Sequence, residues 1–329
     1  MKDPQSANTG ARAQAGATVV LPEAAGAATQ AAGGAATQTS GARRSLGLVA
    51  LVVAGGLSVQ FGAAVAVLLM PRAGALGVVT LRLVLAAVVL LVVCRPRLRG
   101  HSRADWATVI TFGAAMSGMN MLFYQAADRI PLGAAVTLEV LGPLALSVIA
   151  SRRLVNLLWA ALALGGVVLL GGGGFDRLDP VGAAFALAAG GMWAAYIVFS
   201  ARTGRRFPQA DGLALAMGFG ALLSLPFGLV EAGSRLLVPS TLALGLAVAL
   251  MSSVLPYTLE LLALRRLPAA TFAVLMSLEP AIAAMAGFLV LSQALAPTEG
   301  LAIVLVVVAS MGAVRTQAAG KPGKSANRT

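Results

Sequence analysis

Residues 131–153 read PLGAAVTLEVLGPLALSVIASRR: an apolar run with a lone glutamate near its middle, a proline four positions on, and two arginines at the end. About twenty apolar residues rising ~1.5 Å apiece cross the ~30 Å hydrocarbon layer of a membrane as a helix. Glu139 then lies inside the bilayer. A carboxylate at that depth costs about 2.5–3.5 kcal/mol on insertion scales, so it faces other helices, a partner charge or a water-filled cavity rather than lipid. Pro143 has no N–H and removes the helical hydrogen bond to the Glu139 carbonyl, so one residue is expected to offer both a carboxylate and a free backbone oxygen. Arg152 and Arg153 mark the end that stays in the cytoplasm.

The composition extends this reading to the whole chain. With 58% hydrophobic and 11% charged residues and a mean hydropathy of +0.87, the expected fold class is an all-α polytopic membrane protein. The net charge of +12 is spread through short loops, so it reports orientation and not a nucleic-acid partner. The single cysteine, Cys94, excludes an intrachain disulfide. One histidine, His101, leaves almost nothing from which to build a metal centre or a His-dependent triad, and no cofactor is expected. GGGG at 171–174 lacks the basic and hydroxyl residues of a phosphate loop.

Residues 1–45 are rich in Ala, Gly, Thr and Gln, with GAATQ at 26–30 recurring at 34–38, and are expected to be a disordered tail without a signal-peptide apolar core. Ten spans follow, at 46–69, 74–94, 106–126, 131–150, 154–174, 180–200, 212–231, 240–264, 271–292 and 297–314, leaving a basic tail at 315–329. If the N-terminus is inside, nineteen of the 24 Lys and Arg fall in inside segments, only Arg72, Arg129, Arg177 and Arg235 fall outside, and Arg82 is intramembrane. Both termini are therefore expected in the cytoplasm. Small residues four apart, as in Gly182, Ala186, Gly190 and Ala194, or Gly212, Ala216 and Gly220, suit close helix approach in lipid, although an Ala/Gly-rich background would produce such runs too.

A shift of 137 residues sets Ala126 on Ala263, Arg129 on Arg266, Pro131 on Pro268, Leu138 on Leu275, Leu141 on Leu278 and Pro143 on Pro280. Span four overlays span nine. An odd shift of five spans implies two inverted five-helix halves, 46–174 and 180–314, with a substrate site near the midplane between them. The carboxylates break the symmetry, since Glu139 falls on Met276 and Glu279 on Gly142.

Arg82 and Glu139 both lie about eight residues from the outer end of their spans, ~12 Å deep by helix rise. With Asn120 and Tyr124 they form the expected substrate-binding set, a polar cluster open to the periplasmic side. The other readings are a structural ion pair between Arg82 and Glu139, or snorkelling. Coupling or gating candidates are Glu279, Glu260, Pro143, Pro280 and Gln60. For Glu260 the plainer reading is a structural pair with Arg265 or Arg266, and for Trp193, Tyr196 and Tyr257 it is packing. An α-amino acid needs an anion for its ammonium and a cation for its carboxylate, which Glu139 and Arg82 supply at one depth. Proton uptake by Glu139 or Glu279 would link transport to protons.

The runs TLRLVLA (80–86), GMNMLFY (118–124), IPLGAAVTLEVLGPLALSVIASRR (130–153), LPYTLELLALRRLP (255–268) and LMSLEPAIAAMAG (275–287) resemble the EamA group of the drug/metabolite transporter superfamily, in particular its threonine/homoserine exporter branch. The resemblance covers about residues 45–315. It implies ten helices in two inverted EamA repeats, a bacterial inner-membrane location with lipid as surroundings, and proton-driven secondary-active export of amino acids or related metabolites by alternating access. The long N-terminal tail departs from the family pattern. The sequence leaves oligomeric state open, and two other readings stand beside export: a passive facilitator or exporter of other metabolites or drugs, and a membrane enzyme on lipid-linked substrates, for which paired acid/base groups near an interface are lacking.

Overall fold

The computed structural model describes residues 23–151, 155–170, 178–208, 210–256, 259 and 269–319, and among them all regular structure is helical. Residues 1–46 form a unit of their own, helical from Glu23 where the composition suggests disorder; Ala and Gln favour helix strongly enough to outweigh the scattered glycines locally. Among the described residues of the second unit, 47–329, six helices are long and apolar enough to cross a membrane, and shorter apolar helices lie at Leu132–Leu146, Leu157–Leu169 and Pro239–Val254.

The first long run, Gly47–Cys94, is a hairpin. Gly74 sits at φ 70, ψ 166 inside it, three residues after Pro71, a conformation open to glycine and strained for other residues. A straight helix would hold residues 62 and 82 about 30 Å apart. Instead Gly62 lies directly against Ser252 and Arg82 donates to the Ser252 carbonyl, so the chain folds back into α1 (47–73) and α2 (75–94). The start of α2 is capped from a distant helix, because Glu231 Oε2 accepts from the N–H of Leu76 at 2.6 Å and of Gly77 at 3.0 Å.

Helix α3 (Arg103–Ala127) opens with a capping box between Ser102 and Asp105. Asp105 also pairs with Arg206 at 2.9 Å, and the His101 ring packs 4.7 Å from Phe207, which ties the loop before α3 to the end of α7 (Pro180–Gly204). Helix α8 (Asp211–Ala232) runs along α3, where Gly113 meets the Ala216 carbonyl and Gly220 meets the Gly113 carbonyl. The small-residue face of α8 expected from sequence is thus a seam between backbones.

Two expected continuous spans are interrupted. The first divides at Val140 into α4 (Leu132–Glu139) and α5 (Leu141–Ser151). After α6 (Val155–Leu170) and α9 (Pro239–Ala249), the second divides at 277–278 into α10 (Ala269–Met276) and α11 (Glu279–Leu291). The cause is Pro143 and Pro280, which withdraw the hydrogen bonds to the carbonyls of Glu139 and Met276. The shift of 137 carries Val140 onto Ser277, so the two breaks fall at equivalent places. Helix α12 (Pro297–Ala319) closes the bundle against α6, with Trp159 Nε1 donating to Thr316 Oγ1 at 3.1 Å.

Helix α9 ends in a π turn, Leu250–Val254. Pro256 follows and has no N–H to close the ladder onto Met251 or Ser252. Both carbonyls are taken from the other half of the chain, Met251 by Ser58 Oγ at 2.6 Å and Ser252 by Arg82 Nη2 at 2.9 Å.

Candidate functional site

Arg82 is carried to the middle of the bundle by α2 and is 9% exposed. Its guanidinium donates to Ser252 O at 2.9 Å, Tyr124 Oη at 3.1 Å and Ser253 Oγ at 3.3 Å, and lies 5.7 Å from the centre of the Tyr124 ring. Every one of these partners is uncharged.

Glu139, 8% exposed, ends α4 beside the break at Val140. It is within electrostatic reach of Arg82, yet among the described residues the only ion pair is that of Arg206 with Asp105, so the structural Arg82–Glu139 pair is not formed. The backbone oxygen of Glu139 lies against α7 at Gly190, where an added Cβ would stand 2.5 Å from it. Gly142 sits against the Gly190 carbonyl in the same crossing.

One cavity of about 580 Å³ joins Gln60, Arg82, Asn120, Glu139, Pro143 and Glu279. Asn120 donates its amide to Met116 O at 2.8 Å within α3, which leaves Oδ1 as its acceptor. Tyr124, expected in the binding set, does not line the cavity; it is 1% exposed and stands behind Arg82 as a support. Pro280 is buried at the start of α11 beside Glu279. Glu260, Tyr257, Arg265 and Arg266 lie outside the described residues, as do Arg152, Arg153 and the glycines 171–174.

The cavity runs from Arg82 along the C-terminal halves of α7 and α12, past Ser200 and Val314. Trp193 and Tyr196 line it, so they are wall residues beyond their packing. Sequence reasoning missed Ser252, Ser253 and Ser310. Serines are unremarkable in apolar spans, and only Pro256, four residues after Ser252, hints that a carbonyl there is free. Gln60 Oε1, Ser252 Oγ and Ser310 Oγ are buried without a hydrogen-bond partner, and all three residues line the cavity. Among the described residues no group of three His, Cys, Asp or Glu could hold a metal ion.

Comparison with known proteins gives three findings. Residues 180–315 match the EamA-like transporter family. Over 261 residues the chain is 41% identical to the threonine/homoserine exporter RhtA of Escherichia coli (strain K12), the alignment covering 79% of this chain and 88% of that one. The same figures hold for RhtA of Salmonella typhimurium (strain LT2). A solved crystal structure with 20% identity superposes at a TM-score of 0.55, covering 82% of this chain and 97% of that chain, which is a likeness of fold.

Proposed function

Because the chain belongs to the EamA-like transporter family, and so is a transporter rather than an enzyme, we propose that it exports small amino acids of the threonine and homoserine kind from the cytoplasm of a bacterial cell across the inner membrane. The observation that carries this reading is the buried Arg82 guanidinium, held by neutral acceptors in one cavity with Glu139. Arg82 takes the α-carboxylate of the solute. Glu139, with Asn120 Oδ1, takes the ammonium. A zwitterion so bound adds no net charge to the site, which keeps the cost of desolvation low.

The same proposal includes the topology. Ten spans in two inverted repeats, 46–174 and 180–314, place both termini in the cytoplasm, and the breaks in equivalent positions, at Val140 and 277–278, agree with midplane sites built on discontinuous helices. With that orientation the cavity reaches toward the cytoplasm, and the outer end carries the cross-links from Glu231 to α2 and from Gln293 Oε1 to the Leu132 N–H at 3.0 Å. This is the loading state of an alternating-access exporter. Glu139 and Glu279 are the groups through which protons drive the cycle. The reading is tested in proteoliposomes with labelled amino acids and imposed pH steps. Wild type should accumulate threonine against its gradient, Arg82→Ala should lose binding, and Glu139→Gln should lose or uncouple flux. Unaltered pH-driven transport by Glu139→Gln would remove the carboxylate from the mechanism, and equilibration without accumulation would make the protein a passive facilitator.

A further inference from the structure

The two divided helices meet the cavity unequally. Among the described residues, α4 and α11 line it only through Glu139 and Glu279, at the breaks, whereas α5 contributes Pro143 and Leu144 and α10 contributes Phe272 and Met276. Away from the breaks α4 and α11 are packed backbone to backbone: a Cβ added at Gly133 would stand 2.9 Å from Ala284 Cα and 3.2 Å from its nitrogen. A void of about 10 Å³ is what this packing leaves, with Gly133, Ala134, Ala284 and Gln293 in its wall. Ser292 ends α11 in the left-handed conformation at φ 55. The chain turns back there, so that Gln293 donates its own N–H to Gly287 O at 3.1 Å while its Oε1 accepts from the N–H of Leu132 at 3.0 Å. That N–H is one of the four at a helix start with no partner inside the helix. Pro131, just ahead of it, supplies no side-chain cap, so the cap on α4 comes from Gln293, 161 residues away.

The shift of 137 residues extends to this device. It sets Ala269–Met276, the whole of α10, on Leu132–Glu139, the whole of α4, so the counterpart of the α4–α11 seam is a seam between α10 and α5. Gly133 and Ala284 fall on Ala270 and Ser147, small residues again, Leu132 falls on Ala269, and Gln293 falls on Asn156, a second amide. An amide oxygen accepts without carrying a charge, and a neutral hydrogen bond is weak enough to be broken in every cycle. We propose that Gln293 and Asn156 are a pair of alternating latches. Gln293 caps α4 and holds the α4–α11 seam shut while the cavity reaches in between α5 and α10; Asn156 caps α10 when that side shuts and the α4–α11 seam parts. The two bonds belong to opposite states, so each amide shifts the equilibrium toward its own. The pair rests on the alternating-access reading of the cavity.

A thiol in the seam reads the balance. Ala134 is 8% exposed and lines the small void. In the full chain reconstituted in liposomes, with Cys94→Ala removing the single cysteine, Ala134→Cys reacts with N-ethylmaleimide at a rate set by the fraction of time the seam is parted. Gln293→Leu should raise that rate by about two- to tenfold, the factor for one neutral hydrogen bond. Asn156→Leu should lower it by a similar factor. The opposite sign separates a latch from a structural prop, because loosened packing speeds labelling and does not slow it. An unchanged rate in Gln293→Leu, or a rate in Asn156→Leu that is unchanged or raised, overturns the pair. Labelling needs no substrate, so threonine flux in the same liposomes reports on export separately: flux with the wrong signs overturns the latches and leaves export standing, and the expected signs without flux do the reverse.

Discussion

At the scale of the residue, the decisive fact is the company Arg82 keeps. A guanidinium offers five N–H groups in a planar fork, and here three nitrogens reach three separate neutral acceptors. Tyr124→Phe removes one of them without removing the ring. The expected cost is about 1.5–3 kcal/mol, the usual worth of a hydrogen bond to a charged group, read as a lower unfolding midpoint in detergent. Arg82→Lys keeps the charge but cannot span the three partners, so it should insert normally and yet lose threonine flux by about tenfold or more. An Arg82→Lys variant with wild-type uptake would show that the fork geometry does nothing beyond carrying charge.

At the scale of the element, two contacts can be judged by what a side chain would meet. Gly190 lets α7 lie on the Glu139 carbonyl, so Gly190→Val forces the helices apart at the break. Overpacking of this kind costs about 1–3 kcal/mol, visible as reduced thermal stability with loss of transport. Glu231 caps α2 from α8. Glu231→Ala should cost about 0.5–2 kcal/mol, the range for a lost N-terminal cap, and Glu231→Gln should recover most of it, because an amide oxygen still accepts from Leu76 and Gly77. If Gln restores nothing, the charge and not the acceptor is what matters there. These elements also show what could be read in advance. The small-residue seams of α7 and α8 follow from four-residue spacing, whereas 131–150 and 271–292 read in sequence as continuous spans, with Pro143 expected only to free a carbonyl. The cap on α2 is not legible at all, since 154 residues separate Glu231 from Gly77 and no local pattern joins them. Gln60, Arg82, Asn120 and Glu139 were visible because polar groups are rare in apolar spans. Ser252 and Ser253 were not, because a hydroxyl in a helix is ordinarily satisfied by its own backbone.

At the scale of the whole molecule, the proposed ten-span topology is open to direct labelling. Cys94 is the single cysteine, so Cys94→Ala gives a cysteine-free background. In it, Asp128→Cys and Ser234→Cys should react with an impermeant maleimide added to intact cells, and Arg205→Cys only after permeabilisation. The reverse pattern would invert the protein and the direction assigned to its cavity. The π turn at Leu250–Val254 has one more consequence for the chain as a string of codons. A π turn holds one residue more than an α turn, so its simplest origin is a single-residue insertion into an ordinary helix. Deleting one residue there would restore regular winding and swing the remainder of the turn by about 100°, carrying the arginine's carbonyl and hydroxyl partners out of register in one step.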